Sequence, residues 1–237
     1  MNKYEIIKRI ENFAPPETAE PWDCVGFMVE TDRQEVSKIM LCLTPTADII
    51  KLACESNCDM IISHHPLFEI NCHSELVSES YVPNFDIYSA HTNLDKTNGG
   101  TTDTLIKTLG LEQCGCGYEF LRFVDYEGGI EVLDFAQRLQ KISPNLRYVN
   151  NNGQKTLKRI AFCAGSGSEF IAEAQESGAD CLVTGDLKFH TALNSEIVVF
   201  DIGHFESEIL VLPVLKEIIG NGVEVIFAKE TSPFITI

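Results

Sequence analysis

Apolar and polar positions along this chain follow two periods, one helical and one of short buried strands. Apolar residues at Tyr4, Ile6, Ile7, Ile10 and Phe13 make one helical face, which Ala14-Pro15-Pro16 stops. Residues 38–43 read as a strand and 47–56 as a helix. The run Met60-Ile61-Ile62 belongs to a buried strand over 59–63, which ends in His64-His65-Pro66; the proline forbids further pairing. Between residues 69 and 83 the pattern dissolves into Ser, Glu and Asn, an exposed excursion that includes Ser74 to Ser80 and a solvent histidine, His73. A strand over 85–90 then delivers His91-Thr92-Asn93-Leu94-Asp95. After Gly99-Gly100 a helix over 102–109 is closed by Gly110. Further strands are predicted over 119–125, 146–149, 159–163, 181–183, 197–202 and 223–227. Helices are predicted over 130–142, from Gly165-Ser166-Gly167-Ser168 through Gln175, around His190, and over 205–219 with one proline inside. This alternation predicts an α/β fold with largely parallel sheets.

In open sheets of that kind ligands gather beyond the carboxyl ends of the strands. Four strands here finish in metal-binding residue types: His64-His65, His91 with Asp95, Asp186, and His204. Five of the six histidines stand at such an end or in the helix just after it, a clustering that chance placement would scatter. His204 and Glu208 are spaced i, i+4, so at a helix start they share a face and can reach one ion. His91 and Asp95 lie on one extended-to-turn segment. Adjacent residues in extended backbone point opposite ways, so His64 and His65 either face different ions or the chain turns at Pro66. The glycine-rich turn at Gly165 is either an anion-binding nest or a routine tight connection.

Composition narrows the classes. At 237 residues the chain can bury a substantial core in one large domain or two small ones. Its 18 basic and 35 acidic residues give a net charge of −17, which disfavours nucleic-acid binding and suits cations. No apolar run approaches the ~20 residues that span a bilayer. The start, Met1-Asn2-Lys3-Tyr4-Glu5, lacks a basic region followed by an apolar core, so no secretory signal is expected. Nine scattered cysteines then read as reduced, mostly buried thiols of a cytoplasmic protein. Cys114-Gly115-Cys116 is too tight for the usual zinc spacing.

Five ordered motifs carry a resemblance that runs nearly end to end. They are Glu20-Pro21-Trp22-Asp23-Cys24-Val25-Gly26, Ile62-Ser63-His64-His65-Pro66-Leu67-Phe68, Ala90-His91-Thr92-Asn93-Leu94-Asp95, Thr184-Gly185-Asp186 with His190, and Gly203-His204-Phe205-Glu206-Ser207-Glu208. With these the chain resembles the type 2 GTP cyclohydrolase-like family, also called the Nif-three-like dinuclear metal proteins. The resemblance implies two α/β lobes with a dinuclear metal site in the cleft between them, and assembly as a toroidal homohexamer. The lobes are drawn as 1–115 with 200–237, carrying the metal, and 116–199. The implied ligands are His64, His65, Asp95, His204 and Glu208, with Glu208 bridging. His91 and His190 are the implied catalytic groups; Thr92 and Asp186 stand near them and orient ligands or meet substrate. One departure concerns Leu43-Thr44-Pro45, where family members often carry aspartate, which alters a contact behind the ligands.

Three classes of function compete. The first is a hydrolase in which two divalent ions lower the pKa of a bound water and clamp an oxyanion; the family label makes its small-molecule substrate GTP, opened by water at C8 of the imidazole ring. The second is a non-catalytic metal protein that stores, delivers or regulates. The third, a nucleic-acid partner, is disfavoured by the charge. Mixed imidazole and carboxylate ligation admits zinc, iron, manganese and nickel.

Overall fold

The computed structural model describes residues 1–67, 84–114 and 119–235. The excursion at residues 74–80, His73, Gly115 and Cys116 lie outside them. The chain divides into two compact units, Met1–Thr97 with Leu212–Thr231 and Asn98–Val211 with Ser232–Ile237. The sequence places these divisions at 115/116 and 199/200; the structure draws them at 97/98 and 211/212. The reason is packing, since Leu105, Ile106, Leu109 and Ile202 belong to one apolar cluster with Val124, Phe162 and Val183. His204 and Glu208 therefore fall in the second unit.

The first unit opens with α1 (Lys3–Phe13), capped by the Asn2 side chain, which accepts from the Tyr4 N–H. Ile6, Ile7 and Ile10 are buried, as their spacing predicts. Five strands follow: β1 (Gly26–Val29), β2 (Lys38–Cys42), β3 (Met60–Ser63), β4 (Asp86–Ser89) and β10 (Glu224–Phe227). They form one sheet in the order β1-β4-β3-β2-β10, parallel except where β1 runs antiparallel to β4. Residues of β3 and β4 are buried throughout, as expected of strands covered on both faces, and the apolar run Met60-Ile61-Ile62 of β3 shows no alternation. Helix α2 (Ala47–Glu55), capped by Thr46, lays Ile49, Ile50 and Ala53 against Met40, Ile61 and Ile87. The short α3 (Thr92–Lys96) and α9 (Leu212–Ile219) complete the unit. Strand β1 escapes the sequence pattern because it is a half-buried edge without alternation.

At the amino ends of the central strands Lys3 is fully buried. Its Nζ donates to the Thr31 carbonyl at 2.6 Å and lies 3.3 Å from Asp86 Oδ1, which also accepts from the Thr31 N–H and hydroxyl.

The second unit holds α4 (Thr101–Thr108), β5 (Arg122–Glu131), α5 (Val132–Leu139), β6 (Arg147–Val149), β7 (Thr156–Phe162), α6 (Ile171–Glu176), β8 (Cys181–Thr184), α7 (Phe189–Asn194), β9 (Val198–Asp201) and α8 (His204–Glu208). Its sheet runs β5-β7-β8-β9-β6, with a parallel centre and antiparallel edges. Ile130 belongs to a strand rather than to the helix its spacing suggests, because β5 continues past an irregularity at Gly128 and Gly129, both with positive φ. The single helix expected over 205–219 is three pieces: α8, a 3₁₀ turn at Ile209–Val211, and α9. Pro213 lacks an N–H and forces a restart, and it sits in the first turn of α9, where that loss costs nothing. Val211, Leu212, Leu215 and Ile219 are buried, so the apolar face of this stretch is core. Among the described residues no helix is long and apolar enough to cross a membrane.

Candidate metal centre

In the first unit the chemistry collects at the carboxyl ends of β2, β3 and β4. The ladder runs two residues beyond β3: the N–H groups of His64 and His65 donate to the carbonyls of Cys42 and Leu43 at 3.3 and 2.8 Å. The chain then bends before Pro66. Ser63 Oγ donates to the His65 carbonyl at 2.7 Å and Ser89 Oγ to the His64 carbonyl at 2.8 Å. That bend decides between the two readings of the histidine pair. The rings converge, with centroids 4.9 Å apart, and the His91 ring stands 5.2 Å from His64 and 5.4 Å from His65. Each of the three offers a nitrogen within 4.8 Å of the others, a group that could hold a metal ion.

The same nitrogen of each ring is committed to the scaffold. His64 Nδ1 lies 3.0 Å from the Ala90 carbonyl, His65 Nδ1 2.7 Å from Thr44 Oγ1, and His91 Nδ1 2.8 Å from Asp23 Oδ1. The carbonyl and the carboxylate set the tautomers of His64 and His91, the Thr44 hydroxyl fixes the ring orientation of His65, and in each ring Nε2 is left as the ligating atom. His64 Nε2 stands 3.5 Å from Asp95 Oδ1, which adds a carboxylate to the imidazoles. Asp95 comes from α3 rather than from the extended segment expected, and one helical turn brings it back beside His91, the residue that precedes the helix. One buried and two half-buried imidazoles beside a carboxylate match the donors that borderline divalent cations take.

Three supporting groups are not legible as ligand types. Asp23 accepts from His91 and from the N–H and hydroxyl of Thr92, at 3.0 and 2.5 Å. Burial works to raise its pKa, but the hydrogen bonds of His91 and Thr92 outweigh it and hold the carboxyl below its ordinary value. Thr44, at the departure from the family pattern, holds His65 by its hydroxyl. Glu230 accepts from the N–H groups of Leu43 and Thr44 at 2.7 and 3.0 Å and so fixes the turn that carries Thr44; burial nevertheless pushes its carboxyl up.

The second unit repeats the placement at the ends of β7, β8 and β9. His204 Nε2 stands 2.9 Å from Glu208 Oε2 across one turn of α8, and its Nδ1 is 2.7 Å from Asp186 Oδ2. Burial disfavours the imidazolium, yet Glu208 and Asp186 push its pKa up to about 9. Glu208 is buried, so this carboxylate and ring call for a cation or a proton. Gly165, at φ +68°, makes room for it: a Cβ there would fall on Glu208 Oε1. The N–H groups of Gly165 and Gly167 donate to Ser207 Oγ and Thr184 Oγ1, so the glycine-rich turn is a tight connection and these amides are spent internally. Asp201 accepts from Leu187 N–H, Gly203 N–H and Arg147, bracing both loops that deliver Asp186 and His204. His190 is exposed on α7, its ring edge-on to Phe189 at 5.3 Å.

The sequence model of the family described as Duf34/NIF3 (NGG1p interacting factor 3) matches residues 1–233. The chain is 33% identical to a protein of Clostridium perfringens named GTP cyclohydrolase 1 type 2 homolog, over 99% of each. Among solved structures it resembles reduced HcgD from Methanocaldococcus jannaschii, with TM-score 0.81 and 27% identity over 96% of this chain and 97% of that one. It has the fold of Staphylococcus aureus hypothetical protein SA1388, with TM-score 0.84 and 24% identity over 100% and 99% of the two chains.

Proposed function

Starting from the fact that the chain belongs to the Duf34/NIF3 family, we propose that it is a metal-dependent hydrolase using two divalent cations. In this reading His64, His65, Asp95, His204 and Glu208 hold the ions. The observation that carries it is the shared commitment of Nδ1 in His64, His65 and His91 to Ala90, Thr44 and Asp23. A surface loop that merely carries histidines has no need to anchor three rings by the same nitrogen. Bound there, the ions would polarise a substrate and make water acidic enough to act near neutral pH.

The chain's own groups supply the rest. Asp23 and Thr44 orient His91 and His65. Glu208, buried in the space that Gly165 leaves, contributes the negative charge that favours a cation over a neutral ligand. His91, tied to Asp23, is the group placed to hold a proton beside the ligands, and His190 on its exposed helix is the second candidate. For substrate we take GTP, after the name of the clostridial relative, and for reaction the attack of water on its imidazole ring. Assembly as a homohexameric ring belongs to the same proposal.

The test is metal analysis of the purified protein, then assay of GTP against other nucleotides with that metal restored. Metal-dependent release of the ring-opened product supports the reading. Two bound metals with no turnover of any nucleotide would replace it with a storage, delivery or regulatory role.

A further inference from the structure

The loop that supplies Asp23 also carries Trp22, the one tryptophan of the chain, and its side chain is 70% exposed. An exposed indole forgoes most of the stabilisation its burial would give. Nothing about the loop itself is loose. Glu20 N–H donates to Thr92 Oγ1 at 2.9 Å, Asp23 N–H donates to the Glu20 carbonyl at 2.9 Å, and Cys24 N–H donates to Asp23 Oδ1 at 2.8 Å. Lys96 pairs with Glu20 at 2.5 Å, and Asp23 is fastened to His91 and Thr92. Thr92 thus ties the loop down on both sides of Trp22. The indole is held with its ring centroid 6.4 Å from that of His91 and the two planes near perpendicular, at 78°.

We propose that Trp22 is a stacking platform for the planar heterocycle of the substrate, a purine nucleotide, beside the histidine cluster. The proposal rests on the reading of that cluster as the reaction site. Three observations favour a ring over another occupant. The indole stands against His91, the group assigned the proton, and not on a remote face. The loop is pinned by the same residues that orient His91, so platform and cluster keep a fixed spacing. The net charge of −17 gives no diffuse attraction for a polyanion, which leaves ring contact and the metals as the sources of affinity. A base stacked on an aromatic side chain is sequence-tolerant and strong, about 1–3 kcal/mol per base.

Because Trp22 is the one tryptophan, its emission reports the platform directly. The metal-loaded full chain is titrated with GTP, with ATP and with inorganic triphosphate, and Kd is read from fluorescence. The nucleotides should quench saturably and inorganic triphosphate should not. Trp22→Ala, read by calorimetry, should weaken GTP binding by about 5- to 150-fold, the stacking range converted at 1.4 kcal/mol per decade. Trp22→Phe should restore most of it, and metal content should be unchanged in both. Absence of quenching by either nucleotide, an unaltered Kd in Trp22→Ala, or a change of mass in light scattering on that substitution would each overturn the platform, the last making Trp22 a contact between copies of the chain. Quenching without product would leave the platform standing and sink the hydrolase. Product formed with an unaltered KM in Trp22→Ala would do the reverse.

Discussion

His204 Nε2 lies 2.9 Å from Glu208 Oε2, while the other face of the ring is held by Asp186 at 2.7 Å. An imidazole between two carboxylates keeps a proton until the pH reaches about 9. Since that value is raised above the ordinary 6.5, the group adds stability that is fully present below about pH 6.5 and lost as the pH rises through about 9. A divalent cation must displace the proton. Metal affinity is therefore expected to climb with pH up to about 9, and binding at pH 7.5 to release about one proton from this ring. Calorimetric titration of zinc in two buffers of different ionisation heat measures that release; none would contradict the role given to His204.

Gly165 supplies a sharper test of Glu208. Gly165→Ala puts a methyl on the carboxylate and strains a backbone at φ +68°. Gly178→Ala suffers the same kind of strain at φ +79° with nothing within 4 Å of the new Cβ. Both should lose about 1 kcal/mol or more of stability. Only Gly165→Ala should lose metal affinity, by about 10- to 100-fold, if displacing Glu208 matters as much as losing a supporting contact.

Asp23 acts on the other cluster. Asp23→Asn keeps the shape of the loop but removes the negative charge and turns one of the two accepting oxygens into an NH2 donor, so His91 and Thr92 can no longer both be held; it should lower metal affinity or turnover about 10- to 100-fold. Because its carboxyl is held below its usual range, its contribution to stability is present above about pH 4 and disappears as the pH falls through its lowered pKa. Acid unfolding monitored by circular dichroism should start at higher pH in the variant, and identical curves would count against the hydrogen bonds drawn for it.

Much of this was legible in the residues. The strands ending at Ser63, Ser89, Thr184 and Asp201 were marked by short segments rich in apolar residues that give way to His, Asp or Gly, with no alternation needed to place them. What escaped depended on distance across the fold. Asp23 and Glu230 meet their partners 68 and 186–187 positions away, which no local spacing encodes. The bend that turns His64 and His65 to one side rests on two serine hydroxyls, and serine carries no signature of that task. The division of the chain was misplaced for a similar reason, since α4 looks like any amphipathic helix until its partners in the second sheet are known.

The buried ion pair of Lys3 with Asp86 separates folding from function. Removing one partner leaves an uncompensated charge in the core, so Lys3→Met should cost about 3–5 kcal/mol in denaturant unfolding. Metal stoichiometry of the folded fraction should be unchanged, because the pair sits at the amino ends of the strands and the histidines at the carboxyl ends. Loss of metal from that fraction would show that the two ends are coupled.

The central proposal is that His64, His65, Asp95, His204 and Glu208 hold two divalent cations. Anomalous diffraction from crystals of the metal-loaded protein tests it most directly. Two anomalous peaks per chain, ligated by His64, His65, Asp95, His204 and Glu208, are the predicted result. A single peak, or peaks bound by the histidines of the first unit without His204 and Glu208, would contradict it.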